Sequence, residues 1–326
     1  MTANQRRAVP TPAHPHQRRE PLPWQRPKPA EEDPAARKSL EAILKSPSYR
    51  LAEEDIDFIA REDIRGPRLE IEYLKADTIL AEQHIDHTIV VFGSTRICEP
   101  VAARRNVEEL RAAVGADPGD AELRRRLAIA ERVLAKSHYY DVVREFGRLV
   151  GSAGRGGGQS RLVVMTGGGP GLMEAANRGA FDVGAESVGL NIELPHEQYP
   201  NPYVTPDLCF RFHYFALRKM HLLLRAKALV SFPGGYGTLD ELFEVLTLIQ
   251  TRKIKPIPVV LVGEQFWRRA IDFDYLVEEG AIDIEDRELF WFAETAQEIW
   301  RGILRWYDAA GEPLGGTFAA TAPPAP

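Results

Sequence analysis

Short apolar runs alternate with longer stretches of helical periodicity along most of the chain. Five of the runs are rich in β-branched residues and nearly free of charge, and a weaker sixth run covers residues 289–292. The five runs span residues 88–92, 161–165, 187–192, 228–232 and 258–262. Strands that read as continuous apolar runs are typical of a parallel sheet covered by helices on both faces. The pattern therefore predicts a doubly wound, Rossmann-like α/β fold.

Two regions stand outside this alternation. Residues 36–85 place apolar side chains at the spacing of amphipathic helices, which predicts a helical extension before the sheet. The long stretch between the first two strands is dense in charge and has the turn sequence ADPGD in its middle. A helical insertion after the first strand, at about residues 100–137, is the simplest account. Two interpretations of it stay open: a solvated decoration without a chemical role, or a lid or subunit contact.

The two ends of the chain have a different composition. Residues 1–35 are rich in Pro, Arg and His and have no hydrophobic period. We therefore predict a disordered tail there, solvated rather than bound to an acidic partner. Residues 307–326 are predicted to be a second disordered tail, which leaves residues 86–306 as the Rossmann-like domain.

Charge and composition exclude several classes of protein. The chain has 41 basic and 47 acidic residues, a net charge of −6, so it lacks the positive field that general nucleic-acid binding needs. Cys98 and Cys209 are far apart and have no metal-ligand spacing, which indicates neither a disulfide framework nor a zinc site. No apolar run reaches the roughly 18 residues of a membrane span, and the N-terminus has no secretory signal. We therefore predict a cytoplasmic protein with no nucleic-acid or membrane partner.

Three glycine-rich junctions follow predicted strands. FGSTR at residues 92–96 contains Gly93 and Ser94, and TGGGPG at residues 166–171 is followed by a predicted helix. The third junction is PGGYGT at residues 233–238. In an open parallel sheet, ligands bind beyond the carboxyl ends of strands where the winding reverses, so the three junctions are expected to meet at one site. Either of the first two, taken alone, is also compatible with a structural turn.

The PGGYGT junction is the strongest of the three. Its glycines leave backbone amides free to approach an anion, and Thr238 is placed to cap the helix that follows. Asp240 and Glu241 are expected in the first helical turn, where acidic residues are favourable even without a ligand. No lysine follows the glycines as in a P-loop kinase, and no acidic residue is placed to hold a dinucleotide ribose. A phosphate site of another kind is therefore predicted.

A basic pair, Arg218 and Lys219, begins the helix that precedes this strand. Positive charge near a helix N-terminus is unfavourable for the helix dipole, which suggests that the pair serves a ligand. A solvated charge pair is the alternative.

These motifs together resemble the Lonely Guy family. The resemblance covers about residues 88–303 and is carried by four features: GGGPGLMEAANRGA, GLNIELPHEQYPNPYV, the Arg218–Lys219 pair, and the signature PGGxGTxxE, met by PGGYGTLDE at residues 233–241. Family members are cytokinin riboside 5′-monophosphate phosphoribohydrolases, often filed as lysine-decarboxylase-like. The helical extension and insertion are absent from short members, so the chain resembles a longer subtype. A pyridoxal decarboxylase would need a Schiff-base lysine, and the sequence offers no candidate.

The resemblance implies hydrolysis of the N-glycosidic bond of AMP or an N6-prenylated AMP, giving free base and ribose 5-phosphate. It places the catalytic residues at Arg218 and Glu241, and implies a homo-oligomer, a dimer at least or a hexamer, that uses no cofactor or metal. The implied substrate- and phosphate-binding residues are Gly234, Gly235, Tyr236, Gly237, Thr238, Lys219, Gly93, Ser94, Gly168, Gly169, Gly171 and Glu174. Two alternatives stay open: a non-catalytic nucleotide or cofactor carrier on the same fold, which would not need the Arg218 and Glu241 pair, and an oligomerising scaffold.

Overall fold

The computed structural model describes residues 11–18, 20–22, 26–154, 161–195, 199–312 and 314. The chain divides into two compact units, Met1–Arg68 and Leu69–Pro326. Much of the two predicted tails, at residues 1–10, 19, 23–25, 313 and 315–326, lies outside the described residues. The described residues between 11 and 35 form neither helix nor strand.

The first unit contains short helices. Helix α1 (Ala36–Leu44) and helix α2 (Ile56–Ile59) are followed by α3 (Arg65–Glu82), which begins in this unit and continues into the next. The Asp55 carboxylate caps α2 by accepting from the backbone N–H of Phe58 at 3.2 Å. Neither α1 nor α2 has a buried residue, and Ile43, Leu44, Ile56 and Phe58 are exposed.

The second unit is built on a sheet of seven parallel strands. The strands are β1 (Ile85–Phe92), β2 (Arg161–Thr166), β3 (Ser187–Ile192), β4 (Cys209–Phe212), β5 (Ala226–Ser231), β6 (Val259–Val262) and β7 (Trp291–Ala293). Their order across the sheet is β4-β3-β2-β1-β5-β6-β7, with every neighbouring pair parallel. The predicted doubly wound α/β fold is confirmed.

Two strands differ from the sequence-based prediction. β4 was not predicted because it has only four residues at the sheet edge and exposes Arg211, so it never forms an apolar run. The run predicted at residues 289–292 becomes a strand only at Trp291–Ala293. The preceding residues, Ile284–Leu289, form a 3-10 helix whose start is fixed by a capping box between Asp283 and Asp286.

Two long helices occupy the stretch where an insertion was predicted. α4 (Pro100–Ala116) and α5 (Ala121–Lys136) are joined by a short turn, and the Asp120 carboxylate caps α5. They share a small apolar cluster of Val107, Leu110 and Ala130. The other helices are α6 (His138–Ala153), α7 (Leu172–Asp182), α8 (Phe215–Leu224), α9 (Tyr236–Gln250), α10 (Glu264–Ala270), α11 (Phe273–Glu278) and α12 (Ala296–Ala309).

The core lies on both faces of the sheet. Ile89 and Val91 of β1 pack into one cluster with α6, α7 and α12, while Val90 and Phe92 pack into the other with α8, α9 and the second half of α3. This alternation explains why the central strand is apolar at every position from Ile89 to Phe92. The buried Tyr307 of α12 donates its hydroxyl to the carbonyl of Lys227 at 2.7 Å, so ordered structure extends into the range predicted as the second tail.

In the described part of the chain, no helix is both long and apolar enough to cross a membrane.

Candidate active site

The candidate site lies where the strand order reverses, between β1 and β5. The loops after these strands are joined by two hydrogen bonds, from the N–H of Ser94 to the carbonyl of Pro233 and from the N–H of Phe232 to the carbonyl of Phe92, each 2.9 Å. A cavity of about 790 Å³ opens there. The predicted binding residues of both loops line it: Gly93, Ser94, Gly234, Gly235, Tyr236, Gly237 and Thr238.

The PGGYGT loop leads directly into the N-terminus of α9. The helix begins at Tyr236 with Gly235 as its N-cap, and its first intrahelical bond runs from the N–H of Leu239 to the carbonyl of Gly235 at 3.0 Å. The N–H groups before Leu239 have no acceptor one turn back, which is the arrangement that binds anions. The prediction that Thr238 caps this helix is wrong, because the helix starts two residues earlier and Thr238 already lies within it. Its buried side chain instead packs on Gly234, where an added Cβ would lie 2.1 Å from the Thr238 hydroxyl oxygen.

Arg218 and Glu241 meet at the wall of this cavity. The guanidinium Nη1 of Arg218 lies 3.3 Å from a carboxylate oxygen of Glu241, and the two residues are only 8% and 5% exposed. The Nε of Arg218 also donates to the carbonyl of Leu190 in β3 at 2.7 Å, which fixes the plane of the guanidinium. Asp240 and Glu241 were expected in the first turn of the helix. They lie in the second turn, because α9 begins at Tyr236.

Burial dominates the electrostatics of this pair. It raises the pKa of Glu241 to about 7, although the positive charges of Arg218 and Lys219 oppose that rise. Burial also lowers the pKa of Arg218 below its ordinary value, against the charge of Glu241. A carboxyl whose pKa is close to neutrality, next to a fixed cation, is suited to accept and release a proton.

The glycine-rich loop at residues 167–171 packs against Arg218. An added Cβ on Gly167 would lie 2.5 Å from Nη2 of Arg218. Gly168 and Gly171 have φ angles of +69° and +74°, and the carbonyl of Gly169 accepts from Asn201 Nδ2 at 3.1 Å. Gly168, Gly169 and Gly171 are not among the described residues that line the cavity.

Two other predicted binding residues have protein partners. Glu174 accepts a hydrogen bond from the Tyr140 hydroxyl at 2.9 Å. Lys219 pairs with Asp240 at 2.9 Å and with Glu244 at 3.1 Å. Neither residue is among the described ones that line the cavity.

The sequence-based prediction missed the side of the cavity that α5 forms. Ile129, Arg132, Val133 and Lys136 of α5 line it, as do Arg96, Met173, Phe215, Asp240 and Phe266. The four residues of α5 have the spacing i, i+3, i+4 and i+7, which marks one face of a helix and was visible in the sequence. Among the described residues, no group of three or more His, Cys, Asp or Glu side chains is placed to hold a metal ion.

Comparison with known proteins connects this geometry to a family. Residues 173–303 match the profile of a family described as "Possible lysine decarboxylase". A probable cytokinin riboside 5′-monophosphate phosphoribohydrolase of Oryza sativa subsp. japonica is 30% identical over 145 residues, which cover 42% of the chain and 65% of the relative. A cytokinin riboside 5′-monophosphate phosphoribohydrolase of Arabidopsis thaliana is 32% identical over 142 residues, with 42% and 64% covered. The predicted resemblance to the Lonely Guy family is confirmed.

The Lonely Guy signature at residues 233–241 coincides with the cavity. It comprises the loop after β5 and the first turns of α9, and every residue of it except Leu239 lines the cavity. The alignment with each of these two relatives spans less than two thirds of the relative's length.

Solved structures that resemble the chain at low identity include carriers. A molybdenum cofactor carrier protein from Chlamydomonas reinhardtii is 18% identical, with 69% of this chain and 99% of that chain covered, at a TM-score of 0.39. A molybdenum cofactor binding protein from Rippkaea orientalis is 20% identical, with 51% and 85% covered, at a TM-score of 0.35. A likeness of this extent says nothing about what the present chain binds.

Proposed function

We propose that this protein hydrolyses the N-glycosidic bond of a nucleoside 5′-monophosphate, AMP or an N6-prenylated AMP, to give free base and ribose 5-phosphate. One observation carries the proposal: the buried Arg218–Glu241 pair lies in the same cavity as a helix N-terminus whose amides have no intrahelical acceptor. The cavity of about 790 Å³ is large enough for a mononucleotide, since small-molecule sites span roughly 300–1,000 Å³.

The loop after β5 would hold the phosphate. Gly235 and Gly237 have no atom within 4 Å of an added Cβ, so a ligand can approach the backbone closely there. The positive end of the α9 dipole adds to the attraction for an anion. Because the phosphate is remote from the glycosidic bond, this contact positions the sugar and does not take part in bond cleavage.

Glu241 would act on the sugar. Cleavage of a glycosidic bond passes through an oxocarbenium-like state, which a carboxylate stabilises while it orients the attacking water or the ribose hydroxyls. With a pKa of about 7, Glu241 is partly ionised at neutral pH and can take up the proton of that water. Arg218 would stabilise the charge that develops on the departing base or the nucleotide, since a fixed cation in a dry site costs no reorganisation during the reaction.

The named activity of the relatives supports the same reaction. The matched relatives from rice and Arabidopsis are called cytokinin riboside 5′-monophosphate phosphoribohydrolases. The family match at residues 173–303 includes the signature that lines the cavity. A carrier would need the phosphate loop but not a buried carboxylate with a raised pKa. The cytoplasmic location and the homo-oligomer stay predictions.

Incubation of the purified chain with AMP and with isopentenyl-AMP tests the proposal. Chromatography should show free base and ribose 5-phosphate in equal amounts from at least one of them, and the Glu241→Ala variant should release neither. If both nucleotides bind but are not consumed, and Glu241→Ala binds them as the wild type does, the carrier alternative replaces the enzyme.

A further inference from the structure

The predicted site residues leave the phosphate without a counter-charge. The loop amides are neutral, and the charge of Arg218 is matched by Glu241. Asp240 lines the cavity as well and adds negative charge. A phosphate monoester carries a charge of about −1.5 to −2 at neutral pH, so other cations are needed to balance it.

Helix α5 carries suitable cations on the face that lines the cavity. One stripe of this helix, Leu127, Ala130 and Leu134, packs in the cluster shared with α4. The neighbouring stripe contains Arg132 and Lys136 and lines the cavity. The two stripes give the helix two functions, since the first holds the hairpin together and the second faces the site.

These cations are not engaged in ion pairs. Within the described part of the chain, Arg96, Arg132 and Lys136 have no acidic side chain within 4.0 Å, although their neighbours do. Arg111 pairs with Glu131 at 2.8 Å, and Arg125 pairs with Glu122 at 2.7 Å. The cations at the cavity are therefore available to an anionic ligand.

The end of α5 is fixed beside the phosphate loop. Tyr139, three residues after Lys136, donates its hydroxyl to Glu294 at 3.0 Å, and its ring lies 6.3 Å from the ring of Phe232. An added Cβ on Gly263 would lie 2.6 Å from the Tyr139 hydroxyl oxygen and 3.3 Å from the ring of Pro233, the first residue of the loop. The end of α5 that carries Lys136 therefore lies close to the first residue of the phosphate loop.

We propose that Arg132 and Lys136, together with Arg96 of the loop after β1, bind the 5′-phosphate of the substrate and select phosphorylated over unphosphorylated nucleosides. The inserted hairpin is then part of the substrate site. The identity of the substrate rests on the proposed function, but the role of the two α5 cations is tested by binding alone.

The test removes two charges from α5 and keeps the side-chain stems. Arg132→Gln with Lys136→Gln is compared with a matched control, Arg124→Gln with Arg126→Gln, which removes two charges from exposed positions of the same helix that are not among the described cavity-lining residues. Calorimetry measures the affinity for AMP and for adenosine in a Glu241→Gln parent that does not turn AMP over. We expect the cavity pair to weaken AMP binding about 10-fold and to leave adenosine binding unchanged, because charge-assisted contacts to the phosphate are lost. The control should match the parent, and the salt dependence of AMP binding should fall only in the cavity variant.

The outcomes separate this inference from the proposed reaction. Equal AMP affinity in the cavity variant and the control, or equal losses for AMP and adenosine, overturns the role of the cations. If the wild type hydrolyses AMP and the cavity substitutions leave its KM unchanged, the reaction stands and the inference fails. If the wild type hydrolyses nothing while AMP binding depends on Arg132 and Lys136, the inference stands and the reaction fails. A parent that does not bind AMP overturns both.

Discussion

Two glycine-rich loops continue into helices: the first, at residues 166–171, leads into α7, and the second, at residues 233–238, leads into α9. The two loops have the same design and opposite surroundings. Each follows a buried strand, and each is followed by a glutamate in the helix, Glu174 in α7 and Glu241 in α9. In the first loop, an added Cβ on Gly168 would lie 2.0 Å from the side-chain oxygen of Asn191, and one on Gly171 would lie 2.5 Å from the carbonyl of Ser94. In the second loop, Gly235 and Gly237 face open space.

This difference in the space around each glycine distinguishes glycines that the fold requires from glycines that leave room for a ligand. The first loop needs glycine because its backbone has positive φ angles and is packed against neighbouring atoms. The second loop has no such need at Gly235 and Gly237. The absence of a side chain at these two positions therefore leaves the backbone open to a ligand. Glu174 is likewise bonded to Tyr140, whereas Glu241 is buried beside a cation at the cavity.

The two glutamates give the largest expected contrast. Glu241→Gln should lower kcat for AMP by about 1,000-fold or more, because the carboxylate that stabilises the sugar cation is lost. Glu174→Gln should lower it by less than about 10-fold, since its oxygen bonds Tyr140 and does not line the cavity. Steady-state kinetics of both variants, with folding checked by circular dichroism, measures the contrast. Equal losses would show that the two loops form one catalytic unit.

The glycines should differ in their effect on stability. Gly168→Ala should lower the free energy of unfolding by about 2–5 kcal/mol, because alanine is strained at this φ angle and its Cβ collides with Asn191. Gly235→Ala should change it by less than about 1 kcal/mol, since its Cβ meets nothing. Denaturant unfolding of both variants checks this. Unfolding midpoints that move together would contradict the distinction between the loops.

The pH dependence of the rate sharpens the account of the second loop. The pKa of Glu241 is raised to about 7, so the ionised form that the mechanism needs decreases as the pH falls below that value. We expect kcat/KM to drop about tenfold per pH unit below roughly pH 7 and to level off above it. A rate that follows only a pKa near the ordinary value for glutamate would exclude this role. Binding measured at each pH accounts for the second ionisation of the phosphate itself.

Lys219→Met should have the smallest effect. The charge of Lys219 lowers the pKa of Glu241, so its removal should move the pH profile to higher pH by a fraction of a unit and slow the reaction at neutral pH about two- to threefold. A profile that stays in place while the rate falls would indicate direct contact of Lys219 with the substrate instead.

Much of the fold and part of the site could be predicted from the sequence. Strands buried on both faces form mostly apolar runs, so β3 was predicted with its observed bounds, and the strand leading into PGGYGT followed from the same pattern. β4 could not be found in this way, since an edge strand of four residues leaves no run. The prediction that Thr238 caps α9 was wrong because the helix includes Gly237 and begins at Tyr236. The wall formed by α5 was not predicted, although its spacing was visible in the sequence, because Arg132 and Lys136 interrupt the apolar pattern that marks a helix face.

The anchor of Arg218 has a consequence for how the site tolerates sequence change. Its Nε is held by a main-chain carbonyl, that of Leu190, rather than by a side chain. Substitution at residue 190 leaves that acceptor in place as long as the core accepts the new side chain. A slip of β3 by one residue would instead turn the carbonyl away from the guanidinium. The Nε contact of the arginine therefore depends on the register of β3 rather than on the side chain at residue 190.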